Sequence, residues 1–133
     1  MSQASIIDLT KQENRVSVKI IDTGLYIHRH LGPGLLETAY EEALVYFLNK
    51  GGFKTERQKK YPIIIHNHKI ANGFRADLVV EDCVICEIKS VEKLIPLYDA
   101  QLMTYLRLSN IKTGLLMNFG ARLFKDGLKR IVV

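Results

Sequence analysis

From residue 13 to residue 31 apolar positions return at steps of four and three: Val16, Ile20, Gly24, Ile27 and Leu31. That period lays one stripe along a helix and turns it toward a core. Gly32-Pro33-Gly34 stops the helix, because proline cannot donate to the preceding turn and glycine admits a left-handed cap. A second helix is expected over residues 35–49, with Leu36, Tyr40, Ala43 and Phe47 facing inward and Gly51-Gly52 ending it. The period then shortens toward two. Strand-like stretches cover residues 53–58, 61–65 and 70–80, the last interrupted at Asn72-Gly73, and a fourth covers 84–89. Helical spacing resumes over 97–108, and residues 114–118 and 128–133 read as closing strands. Residues 1–10 are polar enough for a loose terminus, with Asp8 or Thr10 as the cap of the first helix.

The order is helix, helix, several strands, helix, two strands. Strands interrupted by one crossover helix predict an α/β fold, a small mixed sheet flanked by helices. A chain of 133 residues suits one domain, 1–133, with one core.

Composition narrows the class. With 47% hydrophobic and 25% charged residues, the chain is globular in character and unlike a disordered one. The formal charge of +5 suits attraction to a polyanion, and equally a solvated lysine-rich face. Basic residues gather in Arg57-Gln58-Lys59-Lys60 and across 125–130, expected at edges or loops, where lysines also discourage edge-to-edge pairing of sheets. No apolar run approaches the ~20 residues of a membrane span. With no basic leader before a hydrophobic stretch, the expected setting is cytoplasmic, reducing and without membrane contact. Cys83 and Cys86 then read as structural: no second pair completes a zinc site, and strand alternation would send them to opposite faces.

The chemistry begins in the apolar run Cys83-Val84-Ile85-Cys86-Glu87-Ile88-Lys89-Ser90. Alternation puts Val84, Cys86 and Ile88 on a core face and Ile85, Glu87 and Lys89 on the other, with the two charged side chains about 7 Å apart along the strand. Asp77 lies on the preceding strand, and parity decides whether it joins Glu87. A two-residue connection, Glu81-Asp82, sets Asp77 against Cys86; a three-residue one, Glu81-Asp82-Cys83, sets it across from Glu87 at about 5 Å. Two carboxylates that close repel unless a cation sits between them, and hard oxygen ligands suit Mg²⁺ or Mn²⁺. Lys89 beside them would hold a water or neutralise charge on a phosphate. The alternative is a structural ion pair of Glu87 with Lys89 or Arg75 at a partly exposed strand end.

Gly34-Leu35-Leu36-Glu37-Thr38-Ala39-Tyr40 matches the pattern GxxExxY, and over nearly its whole length the chain resembles the GxxExxY protein family, grouped with the PD-(D/E)xK nuclease-like superfamily. The resemblance implies a restriction-endonuclease-like core with a divalent metal, Mg²⁺ or Mn²⁺, at the mouth of the sheet. Residue by residue, Asp77 matches the motif's aspartate, Glu87 its second acidic residue and Lys89 its lysine. Glu37 matches the acidic residue often supplied by the first core helix, so that Asp77, Glu87 and Glu37 would be the metal ligands. Gln101 and Tyr105 are similar to the Gln-xxx-Tyr element of the RecB-like branch, and Tyr40 and Tyr105 would brace the acidic helix and the site wall. Ala76 stands where the name-giving proline would be.

The implied function is a divalent-metal-dependent nuclease hydrolysing phosphodiester bonds, in DNA rather than RNA. The alternatives are a catalytically silent nucleic-acid-binding or protein-interaction module on the same fold, and an interaction protein with no nucleic-acid contact. A homodimer or a partner subunit would be the source of strong target preference. Other features are read as structural: His66-Asn67-His68 as a turn, His28 and His30 as late-turn or solvent-facing residues, and Gly32 and Gly34 as no phosphate loop, since the following lysine is missing.

Overall fold

A computed structural model describes residues 7–133 of the chain. The first apolar stripe forms helix α1, Gln12–Leu31, with Val16, Ile20 and Ile27 buried. Leu31 is exposed, because the helix stops there. Gly32 takes φ 72°, which favours glycine, and its N–H closes the last turn on the His28 carbonyl at 2.8 Å. The cap of α1 is Lys11, not Asp8 or Thr10. Asp8 Oδ1 is taken instead by the Thr10 N–H and hydroxyl, and Asn14 and Arg15 reach back to the carbonyls of residues 8–10. Side chains of the first helical turn therefore tie residues 8–10 down; residues 1–6 of the expected loose terminus lie outside the described residues.

Helix α2, Glu37–Lys50, starts two residues later than the spacing suggested and presents a different stripe. Tyr40, Leu44 and Leu48, at steps of four, are the buried apolar set, while Ala43 and Phe47 are half-buried and Leu36 is 75% exposed at the cap position. Glu41 is buried with the stripe, 5% exposed. Tyr40 sets the rotation. Its ring stacks on Phe119 at 4.4 Å, and its hydroxyl donates to the Gly32 carbonyl at 2.6 Å while accepting the Leu35 N–H at 3.1 Å.

The next stretch is one long hairpin, β1 (Thr55–Ile65) and β2 (His68–Val80), joined at His66-Asn67. The breaks expected near residues 59–60 and 72–73 are irregularities inside continuous strands. Pro62, which has no N–H to give, faces the extra residues Ala71-Asn72-Gly73 where the register shifts. A Cβ on Gly73 would come within 2.3 Å of Ile63 Cγ1, so only glycine permits this approach.

Strand β3 (Val84–Lys89), helix α3 (Pro96–Ser109), strand β4 (Thr113–Asn118), a 3-10 turn (Phe124–Gly127) and β5 (Leu128–Val132) follow. The sheet order is β1-β2-β3-β4-β5, antiparallel except for the parallel β3–β4 pair that α3 connects. It is the expected mixed α/β sheet, with β1 and β5, the carriers of the two basic clusters, at its edges.

Helices α1 and α2 cover one face, burying Leu78, Val80, Val84, Cys86, Ile88, Leu115 and Met117. Helix α3 covers the other, where Leu102 and Leu106 meet Val79, Ile85 and Leu116. Both cysteines are free and pack on the α1/α2 side, correcting the expectation of opposite faces: Cys83 belongs to the β2–β3 turn, where strand alternation does not apply. His28 is likewise buried rather than solvent-facing, its Nε2 donating to the Ala121 carbonyl at 2.8 Å. No helix among the described residues is long and apolar enough to cross a membrane.

Candidate active site

The β2–β3 connection is the three-residue one, Glu81-Asp82-Cys83, and its geometry has a local cause. Glu81 and Asp82 both adopt positive φ, 52° and 55°, and are held by the neighbouring edge: Glu81 Oε2 accepts the Lys54 N–H and Asp82 pairs with Lys54 Nζ at 2.9 Å. The odd loop makes Val80–Val84, Val79–Ile85 and Leu78–Cys86 the ladder pairs. One step further, Asp77 stands against Glu87.

At that step the ladder gives way. Ala76 is buried on the α3 side and Leu78 on the α1/α2 side, although they are two apart, so the alternation of β2 breaks at Asp77. Gln58, the β1 residue facing this point, is itself held at φ 50°. Carboxylates take over the missing backbone bonds: the Asp77 N–H donates to Glu87 Oε2 and the Ile88 N–H to Asp77 Oδ2, each at 2.9 Å.

These carboxylates open into a recess of about 410 Å³ lined by Asp77, Glu87, Lys89, Gln101 and Tyr105 together with Lys60, Asn72, Phe74 and Arg75. Five of the residues singled out from sequence are thereby brought to one place. Glu37 is not: it is the exposed first residue of α2, where a glutamate is favoured by the helix N-terminus, and it does not line the recess. Tyr40 lies away from the recess, in the core under the α1–α2 connection.

The helical carboxylate nearest the pair is Glu41, one turn beyond Glu37. Arg57 Nε donates to its Oε2 at 2.8 Å and Gln58 Nε2 to its Oε1 at 2.7 Å; the same Gln58 amide lies 3.5 Å from Asp77 Oδ1. Gln58 thus spans two carboxylates. The only sequence signal for Glu41 was its place beside the Tyr40–Leu44–Leu48 stripe, since its partners come from a strand whose position the sequence does not reveal. Lys60, Asn72 and Phe74 carry no signal for the same reason: they reach the recess because β1 and β2 are one hairpin, and Arg75, expected beside Glu87 only as an ion-pair partner, lines it with them.

Burial dominates the electrostatics. Glu87 is 4% exposed, and its pKa is pushed up to about 8, first by burial and then by the Asp77 charge. Asp77 is raised as well, by burial above all, with Glu41 adding to the effect. Neither Lys89 nor Arg75 forms a salt bridge with Glu87, so the structural ion-pair alternative is not realised. Lys89 Nζ instead lies over the Tyr98 ring, 4.4 Å from its centroid, a cation–π seat that keeps the ammonium beside the recess. Two of the lining residues, Phe74 and Tyr105, stack at 4.5 Å, and Tyr61 stacks on Phe74 in turn at 5.0 Å.

Among the described residues no group of three His, Cys, Asp or Glu side chains converges on a metal position. Mg²⁺, however, is commonly held by one or two carboxylates with waters completing its shell. Asp77 and Glu87 are adjacent hard oxygen donors in one recess, and burial and their mutual repulsion, which a cation would relieve, outweigh the nearby Lys89 charge at Glu87, so the donor set fits such a cation.

A family model described as the PD-(D/E)XK nuclease superfamily matches residues 14–131, nearly the whole described chain. Neither a curated protein nor a solved structure matches the chain significantly.

Proposed function

Since the chain belongs to the PD-(D/E)XK nuclease superfamily, we propose that it is a divalent-metal-dependent nuclease acting on DNA, with its active site in the Asp77–Glu87–Lys89 recess. Members of this superfamily generally use divalent metals. The observation that carries the reading is the pairing of Asp77 with Glu87 across the splayed end of β2 and β3, with Lys89 in the same recess.

Asp77 and Glu87 would hold Mg²⁺ or Mn²⁺, which when bound supplies Lewis acidity toward the phosphodiester. The chain's own residues do the rest. The reciprocal bonds to the Asp77 and Ile88 N–H groups aim both carboxylates, so little reorganisation is needed on ligand binding. Lys89, seated on Tyr98, presents a positive charge where negative charge accumulates on the phosphate. Gln101 holds the substrate or the lysine in register, and Tyr105 forms the wall. Lys60 and Arg75, opposite one another on β1 and β2, give the flanking phosphates a cationic rim.

The test is cleavage of a panel of DNA and RNA, single- and double-stranded, with Mg²⁺, Mn²⁺ or EDTA. The wild type should cut DNA only with metal, and Lys89→Ala and Glu87→Ala should each reduce cutting about a hundredfold or more. Equal cutting by both variants would assign the activity elsewhere.

A further inference from the structure

The chain's basic excess is not spread over its surface. Residues 57–76 hold Arg57, Lys59, Lys60, Lys69 and Arg75 and no aspartate or glutamate. The remaining 14 basic residues are matched by the 14 acidic ones, so the whole formal charge of +5 resides on this segment. It is the distal part of the β1–β2 hairpin. Strand β3 bridges β2 only from Leu78 to Val80, and beyond it the two strands run on as a free ribbon on the order of 20 Å long.

An isolated two-stranded ribbon is marginal in water. The Tyr61–Phe74–Tyr105 stack anchors this one to α3 at its base, while residues 64–72 are exposed throughout. The tip offers apolar surface to solvent: Ile64 is 67% exposed, Ile65 57% and Ile70 42%. Arg57 is occupied by Glu41 and Lys59 by Glu56, but Lys60, Lys69 and Arg75 have no salt bridge among the described residues. Lys60 and Arg75 are also direct partners across the ladder, a like-charge juxtaposition that costs stability unless an anion lies over it.

We propose that the β1–β2 ribbon is a duplex-DNA-binding arm, with Lys60, Lys69 and Arg75 on phosphates and Ile65 and Ile70, which the register sets on one face, against base edges in a groove. A two-stranded ribbon fits the major groove of B-DNA, whereas the deep, narrow major groove of A-form RNA excludes it. The recess lies at the root of the ribbon and shares Lys60 and Arg75 with it, so a backbone following the arm is led to Asp77 and Glu87. The arm deepens the nuclease reading and rests on it only for the location of the cut.

The test is binding of the full chain to a short fluorescein-labelled mixed-sequence DNA duplex in EDTA, followed by anisotropy across a salt series. Lys69→Gln and Arg75→Gln should each reduce the slope of log K against log salt by about 1, the loss of one phosphate contact. The double variant Ile65→Ser, Ile70→Ser should weaken binding about tenfold with the slope unchanged, equivalent to ~1.4 kcal/mol. Circular dichroism melts check that the variants fold. Variants that bind with wild-type affinity and slope would overturn the arm, as would self-association lost in the isoleucine variant while duplex binding is retained. Metal-dependent cutting separates the two readings. Cutting with no ribbon dependence of binding overturns the arm and leaves the nuclease; ribbon-dependent binding without cutting upholds the arm and overturns the nuclease.

Discussion

Asp77 and Glu87 are held by each other's strands: the Asp77 N–H donates to Glu87 Oε2, and Asp77 Oδ2 accepts from the N–H of Ile88, the residue after Glu87. The carboxylates stand in for carbonyls that the splayed strands no longer offer, so neither can move without releasing a backbone donor. Two ionisable carboxyl groups are thus kept in a buried place, where ionisation costs stability, and its consequences are measurable.

Glu87 should make the metal-free protein less stable as pH rises. Its pKa in the fold, pushed up to about 8, lies above its ordinary carboxylate value. Between the two the unfolded chain releases a proton that the native state keeps, so unfolding stability falls through that window and levels off above about pH 8. Glu87→Gln removes the titration while keeping an acceptor for the Asp77 N–H. Melting temperatures from acid to mildly alkaline pH should converge at low pH, with the variant more stable by about 1–3 kcal/mol at the alkaline end.

Divalent cation binding should reverse that penalty and release protons. Calorimetric titration of the wild type with Mg²⁺ or Mn²⁺ near neutral pH, repeated in buffers of different ionisation enthalpy, should report close to one proton released per cation bound. Affinity and cutting should both rise with pH toward about 8. The thermal shift produced by the cation should be absent in Asp77→Asn.

Lys89→Ala should reduce cleavage about a hundredfold or more while leaving cation binding in place, because the ammonium acts on the phosphate rather than on the carboxylates. Tyr98→Leu removes the ring beneath the ammonium and should give a smaller loss. Single-turnover rates beside calorimetric metal affinities separate the two effects.

Glu41 and Glu37, one turn apart on α2, should behave differently. Glu41→Ala leaves Gln58 and the partly exposed Arg57 without their shared acceptor and should cost about 1–2 kcal/mol together with most of the cutting activity. Glu37→Ala removes an exposed side chain and should stay within about 0.5 kcal/mol. Chemical denaturation and cleavage rates measured on both would identify the helical carboxylate that matters.

Tyr40→Phe should destabilise the fold by about 1–2 kcal/mol through the two hydrogen bonds its hydroxyl makes at Gly32 and Leu35, with the Phe119 stack retained. Denaturant midpoints with an unchanged slope would register this as pure stability.

The amino-acid order by itself determined the element sequence, the mixed α/β class and the α1 stripe through Val16, Ile20 and Ile27, because periods of 3.6 and 2 are local and follow from backbone geometry alone. It also specified which residues of β3 share a face, and so set Glu87 beside Lys89. Only the tertiary structure decided that β1 and β2 form one ribbon, since a signal such as Asn72-Gly73 is the same for a chain break and for a bulge. The parity bringing Asp77 to Glu87 was also undecided locally: the two turn lengths differ by one residue, and Lys54 on a neighbouring segment holds the longer one. Glu41 became the buried helical acid through the same kind of long-range choice, made when Tyr40 docked on Phe119 and rotated α2 toward Arg57 and Gln58.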